Sequence, residues 1–348
     1  MTGRVGIVVI GRNEGERLAA CLAAAAASGV PIVYADSASN DGSQARAVAA
    51  GATLVELGPA QPMNAARGRR EGAGRLLADH PDLEYVQFID GDCVLQSGWI
   101  ERATAFLDAD PRAAAVCGRR FEAHPEASPY NRLSDREWDT PIGETESVGG
   151  DSLMRVAAYR AVDGYDPTIV AGEEPELCAR LRAAGWSIWR IDAPMTEHDM
   201  AMVRLSQWIG RSRRGGLGYA QVWRASGGRL FGRQLRSALS WAVMLPLIVV
   251  LVALASGQAA LLLLIPLSWG AQVARLAARR GVGSASAWQD AALLMVAKGG
   301  EAVGALTVLM RRSRGTGRGV TFGLPEAVVL SLVAMAIACF AAWRSLGG

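Results

Sequence analysis

Two short acidic clusters carry the groups in this chain best suited to chemistry. Asp90-Gly91-Asp92 directly follows the apolar run Tyr85 to Ile89, and two carboxylates one residue apart on a tight turn can hold a divalent cation. A D-x-D triplet also occurs as a plain solvated turn. Its place at a strand end in an α/β pattern favours the cation, which would bridge a bound diphosphate and neutralise charge developing on a leaving group. The second cluster, Glu173-Glu174, precedes Leu177, Arg180 and Leu181, so it opens a helix. Acids suit the first turn of a helix for dipole reasons alone. One of them could equally deprotonate an attacking hydroxyl, and spacing does not choose between the two.

The elements needed to position these groups emerge from the hydrophobic pattern. Residues 5–10 are a continuous apolar run, Gly11 to Glu14 break it, and Glu16 to Ala27 has helical spacing. The alternation repeats: Pro31 to Ala35 is strand-like, Asp36 to Gly42 is polar loop, Ser43 to Ala50 is helical, and Thr53 to Leu57 is strand-like again. A helix over Asn64 to Ala78 leads into the strand ending at Asp90, and Trp99 to Leu107 is helical. This pattern predicts an α/β fold with a doubly wound, Rossmann-like parallel sheet. Ligands of such sheets sit beyond the carboxyl ends of the strands, where Asn13, Asp36 and Asp90 all fall. Glu122 to Glu146 reads as polar, aromatic loop, and helical spacing returns over Glu176 to Ala184.

Hydrophobicity is unevenly spread over the 348 residues. No charged residue lies between Arg236 and Arg275, nor between Glu326 and Arg344, which suits hydrocarbon. The expected organisation is a catalytic domain over 1–228 and an all-α membrane region over 229–348. Its spans are expected at about 238–255, 259–274 and 327–343, with Trp288 to Met310 as either an interfacial or a membrane helix, read as amphipathic at the interface because Asp290, Lys298 and Glu301 interrupt it. The N-terminal part, opening directly on a buried strand, is expected not to be exported. Five scattered cysteines without C-x-x-C spacing argue against a disulfide framework or structural zinc and suit a reducing compartment. The net charge is only +3, yet residues 200–236 carry eight arginines and no acid, as phosphate or anionic lipid would require. Nucleic acid is not an expected partner. The basic segments 229–236, 275–280 and 311–318 can all face the cytoplasm if 238–274 is a hairpin and 288–310 does not cross.

The motifs in order, VVIGRNEGERL, DSASNDGS, ARGRREG, FIDGDC, SVGGDSLMR, GEEPELCARLR and QWIGRSRRGG, resemble the family 2 glycosyltransferases of GT-A fold over roughly residues 4–220. The resemblance implies an inverting, metal-dependent transferase that uses Mg²⁺ or Mn²⁺ and a nucleoside-diphosphate sugar donor. It implies that Asp36 reads the nucleobase, that Arg12, Asn13 and Glu14 line the nucleoside pocket, and that Arg69 or Arg67 lies near the ribose or phosphates. Asp90 and Asp92 match the D-x-D pair, with Asp92 favoured for direct metal contact. Glu174 stands where the family's E-D pair carries its aspartate base, so glutamate is a departure, and Glu173 could share the task. His198, in TEHD, falls where some relatives face the metal or diphosphate, although a lone histidine is often structural. Gln207, Trp208 and Arg211 resemble the Q-x-x-R-W element only loosely, since residue 212 is serine. Arg211, Arg213 and Arg214 suit diphosphate through bidentate guanidinium contacts. Gly149 and Gly150 permit close backbone approach on an acceptor-side loop, or form a simple turn.

With membrane segments attached, the expected acceptor is a lipid-linked or membrane-surface glycan in envelope polysaccharide synthesis. The expected location is the cytoplasmic (inner) membrane with the catalytic domain on the cytoplasmic side. A processive synthase is an alternative, but three short spans make a poor channel. A catalytically inactive nucleotide-sugar-binding partner of an assembly complex is a second alternative. A sugar nucleotidyltransferase ordinarily needs a glycine- and lysine-rich phosphate loop, and the first loop here has no lysine.

Overall fold

The computed structural model describes residues 2–310. The chain divides into two compact units between Ala201 and Met202, earlier in the chain than the expected boundary after residue 228. The first unit is built on strands β1 (Val5–Gly11), β2 (Ile32–Asp36), β3 (Thr53–Glu56), β4 (Tyr85–Asp90), β5 (Cys93–Leu95), β6 (Ala113–Glu122), β7 (Gly143–Glu144), β8 (Ser152–Arg155) and β9 (Ser187–His198). Its helices are α1 (Glu16–Ala26), α2 (Ser43–Ala49), α3 (Ala65–Asp79), α4 (Trp99–Ala109), α5 (Pro129–Trp138), α6 (Val156–Ala161) and α7 (Glu173–Ala183).

The strands form one sheet in the order β3-β2-β1-β4-β8-β6-β9-β5, with β7 pairing β9. The first four are parallel, as the alternation of runs and helices predicts. Register aligns their carboxyl ends: Gly11 lies opposite Asp36 and Ile10 opposite Asp90. Beyond β4 the sheet is mixed, because β8 is antiparallel to both β4 and β6. The purely parallel reading therefore holds for one half only. In the other half short strands such as Ser152–Arg155 carry no alternation long enough to announce themselves. α5 also occupies a stretch that reads as loop. Ser128 caps it by accepting from Asn131 N, and Pro129 opens it, a Ser-Pro start signal inside a polar sequence.

α3 is fixed to the sheet at its start and along its face. Asn64 Oδ1 accepts from Arg67 N at 2.8 Å and caps the helix, while Asn64 Nδ2 donates to Pro167 O at 2.9 Å. Gly72 has no room for a side chain, since a Cβ there would stand 2.6 Å from Val8 Cγ1. α3 therefore packs closely on β1, and its N-terminal turns reach the carboxyl end of the sheet. Trp99, Phe88, Tyr85 and Leu76 fill the core, and Trp99 Nε1 donates to buried Gln87 Oε1 at 2.8 Å.

The second unit comprises α8 (Leu205–Ala225), α9 (Gly232–Leu239), a π turn (Ser240–Met244), α10 (Leu245–Ser256), a 3-10 turn (Ala259–Leu263), α11 (Leu264–Ala278) and α12 (Ala285–Leu309). Gly257, at φ 70, ends α10 in the left-handed region that glycine adopts freely. Among the described residues three helices are long and apolar enough to cross a membrane: Gly232–Ser256, Ala259–Ala278 and Ala285–Leu309. The first two contain the expected hairpin. The third is the segment read as interfacial, and by length and composition it suffices for a span. The expected span 327–343 lies outside the described residues.

Replacing Asn64 by Ala removes both its N-cap bond and its tether to Pro167. The variant should lose about 1–2 kcal/mol, a typical cost of an N-cap deletion, read as a lower midpoint in denaturant unfolding of the purified protein.

Candidate active site

One buried cation joins the two acidic clusters. Arg69, on α3, is 2 % exposed and donates through Nη2 to Asp90 Oδ1 at 2.7 Å and through Nη1 to Glu173 Oε1 at 2.6 Å. Glu174 Oε1 lies 3.0 Å from the same Nη1, and the guanidinium lies over the Tyr165 ring at 5.6 Å. The planar fork of arginine allows such a three-acid contact, whereas an ammonium would act as a single point charge. Gly150 makes room for it: a Cβ there would stand 2.6 Å from Arg69 Nη2 and 2.7 Å from Asp90 Oδ2. Gly149, by contrast, is exposed, with open space around it.

A second arginine completes the arrangement. Arg120, near the end of β6, donates to Asp90 Oδ2 at 3.0 Å and pairs with Asp151 Oδ2 at 3.2 Å, and it lies 5.1 Å from the centre of the Trp138 ring. Asp151 is itself buried. It accepts from Asp90 N at 3.0 Å and from Thr196 Oγ1 at 2.6 Å. Burial pushes the Asp90 carboxyl up, but Arg69 and Arg120 outweigh that and hold it at about 2. Glu174 moves the other way. Burial and the like charge of Glu173 push it to about 8 despite Arg69.

Asp92 faces a different neighbour. Its Oδ2 lies 3.1 Å from His198 Nε2, at the end of β9. His198 Nδ1 faces buried Glu122 Oε2 at 3.8 Å, and Trp138 meets the imidazole edge to face at 4.9 Å. Burial pulls the His198 imidazole down, yet the hydrogen bonds to Asp92 and Glu122 prevail and raise it to about 9. Asp92, Cys93 and His198 offer donor atoms within 4.8 Å of one another, and so do Asp90, Cys93 and Asp151. The second group already surrounds the Arg120 guanidinium. Burial raises the Cys93 thiol well above its ordinary value, so it stays protonated and suits a hard cation poorly. The donors that fit Mg²⁺ or Mn²⁺ are therefore the Asp92 carboxylate and, if the imidazole gives up its proton to the incoming ion, His198 Nε2, with Glu122 facing the other ring nitrogen as an outer carboxylate does in many metal sites. Each Asp90 oxygen already accepts from a guanidinium.

The first loop is zipped to the second. Asn13, at φ 59, accepts from Asn40 N at 2.8 Å, Asn13 N donates to Ser39 Oγ at 2.9 Å, and Gly15 N donates to Asp41 Oδ2 at 2.9 Å. Asp36 is fully buried and accepts from Tyr34 Oη, Ser39 N and Gln44 Nε2 at 2.8–3.0 Å. It thus organises the loop that follows β2. Arg12 is exposed. Glu14 pairs with Arg17 at 2.7 Å, and burial together with the nearby Asp92 charge raises its carboxyl.

The two arginines of ARGRREG separate. Arg67 binds Glu71 and the carbonyls of Gly58 and Gln61, so it pins the loop before α3, while Arg69 reaches the acidic clusters. Gln207, Trp208, Arg211 and Arg214 belong to the second unit, on α8. Gln207 Oε1 accepts from Val203 N and Arg204 N, Trp208 Nε1 donates to Leu293 O at 3.1 Å, and Arg211 lies over the Trp208 ring at 5.4 Å. Arg120, Glu122, Trp138 and Asp151 escape sequence reasoning. Their only sequence signal is charge within or just before a strand, Arg119-Arg120 inside β6 and Asp151 ahead of β8, in a stretch without clear periodicity.

Two acid clusters, paired arginines and a histidine thus meet at the carboxyl ends of the strands. Residues 6–161 match the profile of Glycosyl transferase family 2, and apolar helices follow in the second unit. The fold is similar to that of the mannosyltransferase PcManGT from Pyrobaculum calidifontis, solved with GDP-Man and Mn²⁺, at a TM-score of 0.56 and 18% identity over 87% of each chain. In sequence the chain is 27% identical to the pre-mycofactocin glycosyltransferase of Mycobacterium tuberculosis over 139 residues, 37% of this chain and 29% of that protein. It is likewise 27% identical to the succinoglycan biosynthesis protein ExoA of Rhizobium meliloti over 162 residues, 36% of this chain and 48% of ExoA. The chain thus spans less than half the length of either relative.

Arg69→Met would leave Glu173 and Glu174 without their arginine and Asp90 with Arg120 alone, and should destabilise the protein by about 3–5 kcal/mol, as breaking a buried ion pair does. Arg69→Lys, which keeps the charge and loses the fork, should fall between Met and wild type in the same denaturant titration.

Proposed function

We propose that this protein transfers a sugar, with inversion, from a nucleoside-diphosphate donor to a hydroxyl of a lipid-linked or membrane-surface acceptor at the cytoplasmic membrane, with its catalytic domain on the cytoplasmic side. The observation that carries this reading is the placement of Glu174 within one buried arginine of the D-x-D turn. Base and donor-side acids share a single rigid frame. A UDP-sugar is the favoured donor, and the GDP-Man complex of PcManGT makes a GDP-sugar the alternative. The similarity to a succinoglycan biosynthesis protein supports a polysaccharide pathway, and the arginine-rich segments flanking apolar helices support the membrane side.

Asp92 and His198 would hold a Mg²⁺ or Mn²⁺ ion, which when bound would neutralise charge on the departing diphosphate. The acceptor oxygen forms the new bond at the anomeric carbon as the bond to the diphosphate oxygen breaks, and the acceptor proton passes to the Glu174 carboxylate. Glu174 suits that role better than Glu173. Its affinity for a proton is raised toward the working pH, which favours general-base catalysis. It is also the more exposed of the two, while Glu173 Oε1 already accepts from Arg69 at 2.6 Å. Arg120 and Asp151 hold Asp90 in place, so the turn keeps its shape while Asp92 faces the donor.

Membranes carrying the protein, given labelled UDP-, GDP- and dTDP-sugars with Mg²⁺ or Mn²⁺, should yield labelled lipid extract from one donor. EDTA or Asp92→Ala should abolish the label, and undiminished transfer in EDTA would overturn metal dependence. Glu174→Gln should lower kcat by roughly 10²–10⁴-fold, the usual worth of a general base. Loss in Glu173→Gln with activity kept in Glu174→Gln would move the base by one residue.

The raised Glu174 carboxyl sets the sign of the pH dependence. A base must be deprotonated, so kcat/KM should rise with pH and level off above about 8, where Glu174 has lost its proton. Removing the like charge in Glu173→Gln should shift that limb toward lower pH. A limb that stays in place would show that the neighbouring charge does not set it.

A further inference from the structure

Buried arginines of the first unit are held by close carboxylates, Arg67 by Glu71 at 2.5 Å and Arg69 by Asp90 at 2.7 Å. Arg190, on β9, is the exception. Its side chain is 3% exposed, yet its ion-pair partner is Asp139 at 3.6 Å, and that carboxylate is itself 64% exposed. Arg190 Nη1 donates to Ile191 O at 2.6 Å, and its buried Nε has no hydrogen-bond partner among the described residues. A charge-assisted N–H···O contact closes to about 2.7–2.9 Å, so Asp139 balances this cation only from a distance. A guanidinium so far from water calls for a nearer anion.

Arg190 lines an open cleft of about 530 Å³, a size typical of small-molecule sites. Its other charged walls are Arg119, Asp139 and Asp192, and Thr140, Pro141 and Ile142 form the remainder. Arg119 Nε stands 3.5 Å from the same Asp139 carboxylate, while its Nη2 donates to Asp135 at 2.8 Å. Asp139, at the C-cap of α5, thus stands between two guanidinium groups and closes on neither. An incoming carboxylate or phosphate can take that place while Asp139 turns to water. The rest of the lining suits a sugar. Asp192 and the Thr140 hydroxyl can meet ring hydroxyls, and exposed Pro141 and Ile142 offer apolar contact to the C–H face of a pyranose.

The cleft adjoins the candidate active site. Strict alternation would send the consecutive Arg119 and Arg120 of β6 to opposite faces of the sheet. The register against β9 slips between Cys117 and Arg119 and again between Arg119 and Arg120, and such bulges re-aim side chains. Both arginines therefore reach the end of α5, Arg120 at the Trp138 ring and Arg119 at Asp135 and Asp139. Trp138 packs on His198, and the next residue lines the cleft.

We propose that this cleft is a subsite for an acidic sugar, whose carboxylate or phosphate is taken by Arg190 and Arg119 in place of Asp139. The sugar belongs to the acceptor glycan, an assignment that rests on the transfer reaction proposed above.

Binding is measured by ligand-observed saturation-transfer NMR on the full chain in detergent, with methyl glucuronide, glucose 6-phosphate and neutral methyl glucoside as probes. One of the two acids should bind roughly tenfold or more tighter than the glucoside, as a hydrogen-bonded charge implies, and which one binds separates carboxylate from phosphate. Equal affinity for all three would overturn the proposal. Asp139→Asn removes the competing charge and should tighten the acidic probe about two- to fivefold, the worth of an exposed ion pair. Unchanged affinity in that variant would also overturn it. Arg190→Gln should erase the preference for the acid, and a folded variant that keeps the preference counts against the site. Should Arg190→Gln not fold, the exposed Asp139 decides. In membranes, the acidic probe should inhibit formation of labelled lipid, and binding without inhibition would overturn the acceptor assignment. Absence of transfer from every donor would instead sink the transfer reading and leave the binding result standing.

Discussion

A single guanidinium buried among three carboxylates organises the catalytic unit. Arg69 contacts Asp90, Glu173 and Glu174 with two nitrogens, and a charge so far from water is tolerable only because those acids surround it. The converse also holds. Acids this close together would repel one another, and the positive charge between them lets Asp90 stay ionised while Glu174 remains proton-hungry. Opposite shifts in neighbouring carboxyls mark a site where acid and base roles are divided by environment rather than by residue type.

The rest of the unit serves that contact. α3 carries Arg69 and can lie close to β1 only because Gly72 has no side chain to strike Val8. Asn64 starts the helix at the right residue and ties it to Pro167, and Arg67 anchors the preceding loop. From the opposite half of the sheet, β6 and β9 bring Arg120 and His198 to the same edge, and Trp138 at the end of α5 packs against both. Parallel and antiparallel halves thus contribute different things: zipped loops from one, and charged strand ends from the other.

The second unit applies the same device for another purpose. Glycines at 216, 300 and 304 let two helices touch through their backbones, which locks an arginine-rich helix to an apolar one.

Much of this architecture was legible in the residues alone. Apolar runs alternating with helical spacing specify the parallel half and its converging strand ends, since period and burial are local properties. The D-x-D turn, the Glu173-Glu174 pair and the uncharged segments are likewise readable, because each is contiguous. What the residues in order could not reveal is which charges meet. Arg67 and Arg69 sit two apart in the same motif, yet helix rotation turns one to a loop and the other to the acids. Asp90 and Asp92 sit two apart on one turn, yet one faces two arginines and the other a histidine 106 positions away. Arg120, Glu122 and Asp151 join the site through a mixed sheet whose pairings are entirely long-range. Pairing of charges is set by distance in space, and only tertiary packing determines that distance.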